Sequence, residues 1–189
     1  DAAEYVTVTY APLPAATTAA AALAADAPTL SEAVPGNLCL DWHTGDAAAV
    51  DAAFARAAHV VTLALDNHRI VTNPMEPRGG VGHYDPAADR YTLTLSSQNI
   101  HGNRDMAARW LGVPPDRVRF IAPDVGGGFG AKNFSYAEHA LLLWAAKRVG
   151  RPVKWIDTRS EVFVSDHQAR DHVCDAALAL DATGNFLAL

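Results

Sequence analysis

Residues 123–133 read Pro123-Asp124-Val125-Gly126-Gly127-Gly128-Phe129-Gly130-Ala131-Lys132-Asn133, and the reading of this stretch decides the fold. Closely spaced glycines let a backbone approach a ligand and aim several N–H groups at it. A nucleotide P-loop requires GxxxxGK followed by Ser or Thr. Counted from Gly126, the second glycine is replaced by Ala131, and Asn133 stands where the hydroxyl residue belongs. Gly126-x-Gly128-x-x-Ala131 meets the looser dinucleotide-binding pattern, with Asp157 at the end of the next strand. That turn, however, follows its strand directly and opens a helix. Here three residues separate Ala122 from Gly126, and the next helix begins near Ser135.

Outward from the loop, residues 117–122 form an apolar run that predicts a strand. Ser135 and Glu138 match a capping box opening a helix to Val149; Lys147 and Arg148 suit its last turn, and Gly150 and Pro152 end it. A strand over 153–157, a short helix over 158–166 and strands over 172–180 and 186–189 follow. Upstream, the spacing predicts a helix over 101–111 with Met106, Trp110 and Leu111 on its buried side. Tyr91, Leu93 and Leu95 alternate with Thr92 and Thr94, the period of a half-buried strand. This strand pairs with 80–84 as a hairpin across 85–89. The two prolines of residues 73–78 dictate a rigid turn. Residues 59–66 read as a strand, and Asp46 as the N-cap of a helix carrying Val50 and Phe54. Residues 4–10 read as a strand, and the alanine run 15–27 as a thin helix or a connection. The class is α+β: mixed sheets with packed helices, without simple βα alternation.

The 189 residues are 50% hydrophobic and 19% charged, so a packed core is expected and general disorder is not. A net charge of −6 gives no global reason to expect nucleic acid or an anionic membrane as partner. Cys39 and Cys174 stand alone, without a CxxC, so neither an iron–sulfur ligand set nor a zinc ribbon can be built here. Two reduced, buried thiols are expected in preference to a disulfide. No apolar run approaches the roughly 20 residues of a membrane helix. The opening Asp1-Ala2-Ala3-Glu4 lacks the basic region of a signal peptide, and cytoplasmic location is the default. The missing initiator methionine and the strand-like end at Leu189 lead us to expect a piece of a longer polypeptide.

Four segments together carry a family resemblance. The glycine loop through Lys132 resembles the cofactor loop of the molybdenum hydroxylases, the family of xanthine dehydrogenase, aldehyde oxidase and the carbon monoxide dehydrogenase large subunit. Ser97-Gln98-Asn99-Ile100-His101 resembles that family's glutamine segment, and Asn73-Pro74-Met75-Glu76-Pro77-Arg78 a third segment. Gly150-Arg151-Pro152-Val153-Lys154-Trp155 with Arg159-Ser160-Glu161 resembles a fourth. Four motifs in order across residues 60–180 are far more specific than any one alone.

The resemblance implies residues 1–30 as the tail of a preceding, hammerhead-like domain and 31–46 as a linker. Residues 47–189 would be the first part of the molybdenum-cofactor-binding domain. It implies that Gln98 donates its amide N–H to an oxo ligand of molybdenum, a neutral donor that does not titrate. Gly127, Gly128, Phe129 and Gly130 correspond to the loop whose backbone contacts the metal's oxygen ligand and the pterin. No residue here ligates the metal directly. The implied cofactor is molybdopterin, as the cytosine dinucleotide in many bacterial members. The implied reaction is hydroxylation of an aldehyde, an N-heterocycle or carbon monoxide with oxygen from water. Electrons would leave through [2Fe-2S] centres and FAD on an iron–sulfur small subunit and a flavin medium subunit. Asn133 stands where purine-oxidising members carry a glutamate, which speaks against purines; Asn133 and Phe134 remain candidate substrate-side residues. The family's general-base glutamate lies beyond Leu189, so no catalytic residue is assigned and the isolated piece is expected to be inactive.

The alternative from another class is a stand-alone nucleotide-binding or assembly domain in which the glycine loop binds a nucleotide or turns the chain. Taken singly, Glu76 and Arg78 read as a structural pair or as backbone contacts about their turn. Lys132 reads equally as a phosphate ligand or a surface lysine. Arg151, Lys154 and Arg159 form a small positive cluster that either faces an anionic tail or is solvated.

Overall fold

A computed structural model describes residues 2–189, with side chains from residue 4 onward. The chain divides into two compact units, one of residues 1–68 with 171–189 and one of residues 69–170.

In the first unit, a single 3₁₀ turn (Ala2–Tyr5) precedes an irregular segment, so the strand expected over 4–10 does not form. Tyr5, Val6, Val8 and Tyr10 are exposed: alternation alone does not make a strand where no neighbouring strand pairs with it. The alanine run yields only α1 (Ala19–Ala22), capped by Thr18. Small side chains favour the helix but have little apolar area with which to anchor it. Asn37, at φ 58°, pins the following segment. Its Nδ2 donates to the carbonyls of Ala22 and Pro28, and its Oδ1 accepts the N–H of Leu30. Asp46 caps α2 (Ala47–Ala55) by accepting the N–H of Ala49 at 3.0 Å. The sheet order is β1 (His59–Asn67), β6 (His172–Leu180), β7 (Phe186–Ala188), antiparallel throughout.

The second unit contains a four-stranded sheet. Its order is β4 (Val118–Ile121), β3 (Arg90–Leu95), β2 (Gly79–Asp85), β5 (Val153–Ile156); β3 and β4 run parallel and the other pairs antiparallel. The register places Gly82, Leu93, Phe120 and Val153 in one row across the sheet. This face carries the core, with Leu93 and Leu143 fully buried. Helices α3 (Ile100–Leu111) and α4 (Ala137–Val149) cover it. At Gly82 a Cβ would lie 2.5 Å from the carbonyl oxygen of Leu142; only glycine lets α4 settle this close to the sheet.

Two expectations about these helices change. The buried side of α3 is Asn103, Ala107 and Ala108, while Trp110 is exposed. Small residues let the helix lie close to β4; Ile100 and Leu111 pack against the edge of the core, Met106 is half-buried, and of the expected residues only Trp110 turns outward. Ser135 and Glu138 do not form the capping box. Tyr136 is the N-cap of α4, and its N–H reaches His139 Nδ1 at 3.5 Å. Ser135 bonds Asn103 and Glu138 pairs with Arg78, so tertiary partners take both groups. The reciprocal box forms instead at α5 (Arg159–Ser165), between Thr158 and Glu161. Cys39 and Cys174 are free, as expected, but exposed rather than buried. Among the described residues no helix is long and apolar enough to cross a membrane.

Candidate functional site

The site lies in the second unit, where the end of β3 meets the glycine loop. Gln98 sits between β3 and α3, held in place by its neighbours. The Ser97 hydroxyl accepts the N–H of Asn99 at 3.1 Å and Nδ2 of the buried Asn103 at 3.0 Å. The Gln98 N–H donates to the carbonyl of Lys132 at 3.0 Å. Its side-chain Oε1 accepts the N–H of Gly130 at 3.0 Å, so the other half of the amide, Nε2, is turned to the exposed side.

The loop is kept in a conformation that an ordinary sequence resists. Gly127 and Gly130 have φ of 94° and 96°, and Phe129 has φ 50°, a region costly for a residue with a Cβ. Phe129 is 71% exposed and its ring edge lies against Gly127. At Gly128 the constraint is steric: a Cβ there would run into the Gln98 side chain, 2.8 Å from Cγ. The loop closes on itself where Ala131 N–H donates to the Gly128 carbonyl and Asn133 N–H to the Gly130 carbonyl. The N–H groups of Gly127, Gly128 and Phe129 have no partner among the described residues. Three successive backbone donors without a partner, beside positive-φ residues, are the kind of backbone arrangement that can receive an anion.

The third segment packs against this loop. Glu76 N–H donates to the Gly126 carbonyl at 3.2 Å, and Glu76 Oε2 accepts the Gly126 N–H at 2.7 Å. The same oxygen accepts Lys132 Nζ at 2.8 Å. Lys132 is therefore neither a surface lysine nor a free phosphate ligand: it is 2% exposed and also donates to Ser96 Oγ at 2.9 Å. Partial burial pushes the Glu76 carboxyl up, but hydrogen bonding from Lys132, Ser96 and Gly126 outweighs this and holds it below the ordinary carboxylate range.

Glu76 and Arg78 do not pair with each other. Arg78, 3% exposed, donates to Asp166 at 2.5 Å, Asp157 at 3.0 Å and Glu138 at 3.2 Å, and stacks 3.7 Å from the Tyr136 ring centroid. Burial opposes its charge, yet the Asp166 carboxylate beside it raises its pKa further. Burial also pushes Asp157 and the Tyr136 hydroxyl up. It depresses His139, helped by the Arg78 cation, to about 4.

The fourth segment braces the turn. Arg159, at the start of α5, bonds Asn73 Oδ1 and the carbonyls of Pro74 (2.8 Å) and Met75 (3.0 Å). Arg159 is thus committed to structure, and Arg151, Lys154 and Arg159 do not act as one positive face. Asn133 is exposed, and Phe134 stacks on His167 with centroids 4.1 Å apart. Among the described residues no group of three His, Cys, Asp or Glu side chains could hold a metal ion directly. The sequence reading missed Asn103, which holds Ser97, and Asp166, and met Asp157 only as the end of a strand; both carboxylates bond Arg78. A buried polar side chain announces itself only through its partners, and those lie 6, 79 and 88 residues away in sequence.

Known proteins resemble this chain in sequence and fold. The molybdopterin cofactor-binding domain matches residues 30–189. The chain is 35% identical to the carbon monoxide dehydrogenase large chain of Hydrogenophaga pseudoflava, across 100% of this chain and 25% of that one. It is 37% identical to the 6-hydroxypseudooxynicotine dehydrogenase complex subunit gamma of Paenarthrobacter nicotinovorans, across 100% and 23%. Its fold superposes on the carbon monoxide dehydrogenase of Oligotropha carboxidovorans with a TM-score of 0.87 at 31% identity, covering 98% of this chain and 24% of that one. The aldehyde oxidoreductase of Desulfovibrio gigas gives 0.83 at 26% identity, covering 98% and 20%. The chain belongs to the molybdopterin cofactor-binding domain family. It spans about a quarter of the length of these relatives.

Proposed function

We propose that this chain is the cofactor-holding first part of a molybdenum hydroxylase large subunit. The complete enzyme would hydroxylate an aldehyde, an N-heterocycle or carbon monoxide with oxygen from water. The observation that carries this reading is the convergence of Gln98 and the glycine loop. A neutral amide and three unspent backbone N–H groups lie on one loop and the side chain bonded to it, and a side chain at Gly128 would have to push Gln98 aside. Such an arrangement fits an anionic, oxygen-rich cofactor.

In this reading the N–H groups of Gly127, Gly128 and Phe129 and the Nε2 of Gln98 hold molybdopterin. Gly130 spends its N–H on orienting Gln98. When bound, the cofactor supplies two-electron chemistry at molybdenum. The chain supplies donors already fixed in place, which stabilise negative charge developing beside them without reorganising. Phe129 walls one side, and Asn133 and Phe134 lie next along the loop toward substrate. Asn133, a neutral amide, disfavours purines.

We assign residues 1–30 to the end of a preceding domain, 31–46 to a linker and 47–189 to the cofactor domain. The pterin would be the cytosine dinucleotide form. The partners would be an iron–sulfur small subunit with [2Fe-2S] centres and an FAD medium subunit, in a cytoplasmic complex. The names of the relatives, a large chain and a subunit of a dehydrogenase complex, support a multi-subunit assembly. The test is turnover by the full-length enzyme in ¹⁸O-labelled water, with each of the three substrate classes and an artificial electron acceptor. Label in the product of one class is expected. No turnover of any class, or oxygen drawn from O₂, overturns the reading.

A further inference from the structure

We propose that the Glu76–Lys132 pair is a positioning device for the cofactor site, setting the shape of the loop that lies between its two anchor points. The inference rests on the functional reading above. A single oxygen, Glu76 Oε2, accepts the N–H of Gly126 at 2.7 Å and the Nζ of Lys132 at 2.8 Å. Those partners stand at the two ends of the strained loop, and residues 127–131 run between them. Glu76 is itself fixed to Gly126 by a second, reciprocal backbone bond of 3.2 Å. Lys132 reaches further, through Nζ to Ser96 at 2.9 Å and through its carbonyl to the N–H of Gln98. The ion pair thus ties the 73–78 turn, the end of β3 and the glycine loop to one another.

A buried ammonium is an expensive way to fill space, since an apolar side chain of that length packs as well without losing hydration. What charge adds here is direction. The cation holds the Glu76 carboxylate where one oxygen serves both loop ends. Phe129 at φ 50° persists only if its surroundings over-determine it, and this pair is the surrounding structure at both ends of the loop. Moving either anchor changes the aim of the free N–H groups and of Gln98. It removes no group that touches the cofactor.

The experiment uses full-length holoenzyme carrying Glu76→Asp, which keeps the charge but shortens the reach, and Lys132→Met, which keeps length without charge. Readouts are molybdenum per chain, the electron paramagnetic resonance spectrum of the half-reduced metal, and kcat separately from KM. The expected result for Glu76→Asp is retained molybdenum and an altered metal spectrum. Its kcat should fall roughly 10- to 100-fold, as found when supporting groups around a metal site are removed, with KM changed far less. The charge-swapped double variant Glu76→Lys with Lys132→Glu should not recover the wild-type spectrum, because Gly126 would face a donor. A wild-type spectrum and kcat in loaded Glu76→Asp overturn the proposal, as does recovery by the swap. If Lys132→Met fails to fold, Glu76→Asp alone decides. Wild-type enzyme without molybdenum would instead overturn the functional reading, so the two failures are distinguishable.

Discussion

The amide oxygen of Gln98 accepts the Gly130 N–H at 3.0 Å, and this one bond decides which half of the side chain is left to face a ligand. With the oxygen spent, the free group is a donor. Gln98→Glu is therefore the informative substitution: a carboxylate still accepts from Gly130 but donates nothing. In full-length enzyme normalised for molybdenum, Gln98→Glu and Gln98→Ala should both lower kcat, by about 100-fold, the usual effect of deleting one preorganised donor. Steady-state kinetics check this. A Gln98→Glu enzyme as fast as wild type would show that the donor is not used.

Gly128 and Gly150 separate two reasons for a glycine. A methyl at Gly128 collides with Gln98, whereas at Gly150 the φ of 67° is the only obstacle and the space is open. Gly128→Ala should displace the Gln98 amide and lower molybdenum per chain. Gly150→Ala should cost about 1–2 kcal/mol of stability and leave molybdenum content unchanged. Elemental analysis alongside thermal denaturation reads both.

Arg78 compensates three carboxylates, and both Asp157 and Asp166 still keep one buried oxygen without a partner. Arg78→Met should destabilise by about 3–5 kcal/mol, as expected when one member of a buried ion network is removed. Arg78→Lys should recover only part of this, because an ammonium cannot reproduce the planar fork stacked on Tyr136. Thermal denaturation of the two variants against wild type checks the order.

His139 is held down to about 4, by burial first and by the Arg78 cation second. The unfolded chain, with its histidine near 6.5, takes up the proton more readily than the folded one. Stability from this group is therefore complete above pH 6.5 and is lost as pH falls from 6.5 toward 4, on the order of 3 kcal/mol. Melting temperatures across that range should fall more steeply for wild type than for His139→Gln.

Much of the fold was legible because its signals are local. The alternation at Tyr91, Leu93 and Leu95, the Asp46 cap and the glycine after Leu111 each sit within a few residues of what they determine. The site segments were legible as four motifs, but not their wiring. Arg159 bracing Asn73, Lys132 turning inward to Glu76, and Glu138 leaving its expected cap for Arg78 are contacts across 86, 56 and 60 residues. A charged side chain near a cap or a loop reads as local until a distant partner claims it. The strand expected over 4–10 failed for the same reason, since a period of two says which residues share a face and nothing about whether a second strand lies beside them.

The central claim is that the cradle of Gln98 and residues 127–129 holds a molybdenum cofactor. The most direct test is elemental mass spectrometry and pterin fluorescence on the full-length protein, purified from its own cells under conditions where the cofactor is made. Near-stoichiometric molybdenum with a matching pterin signal is predicted. Folded protein with neither would contradict the account and leave the four converging segments as a shared scaffold without its cofactor.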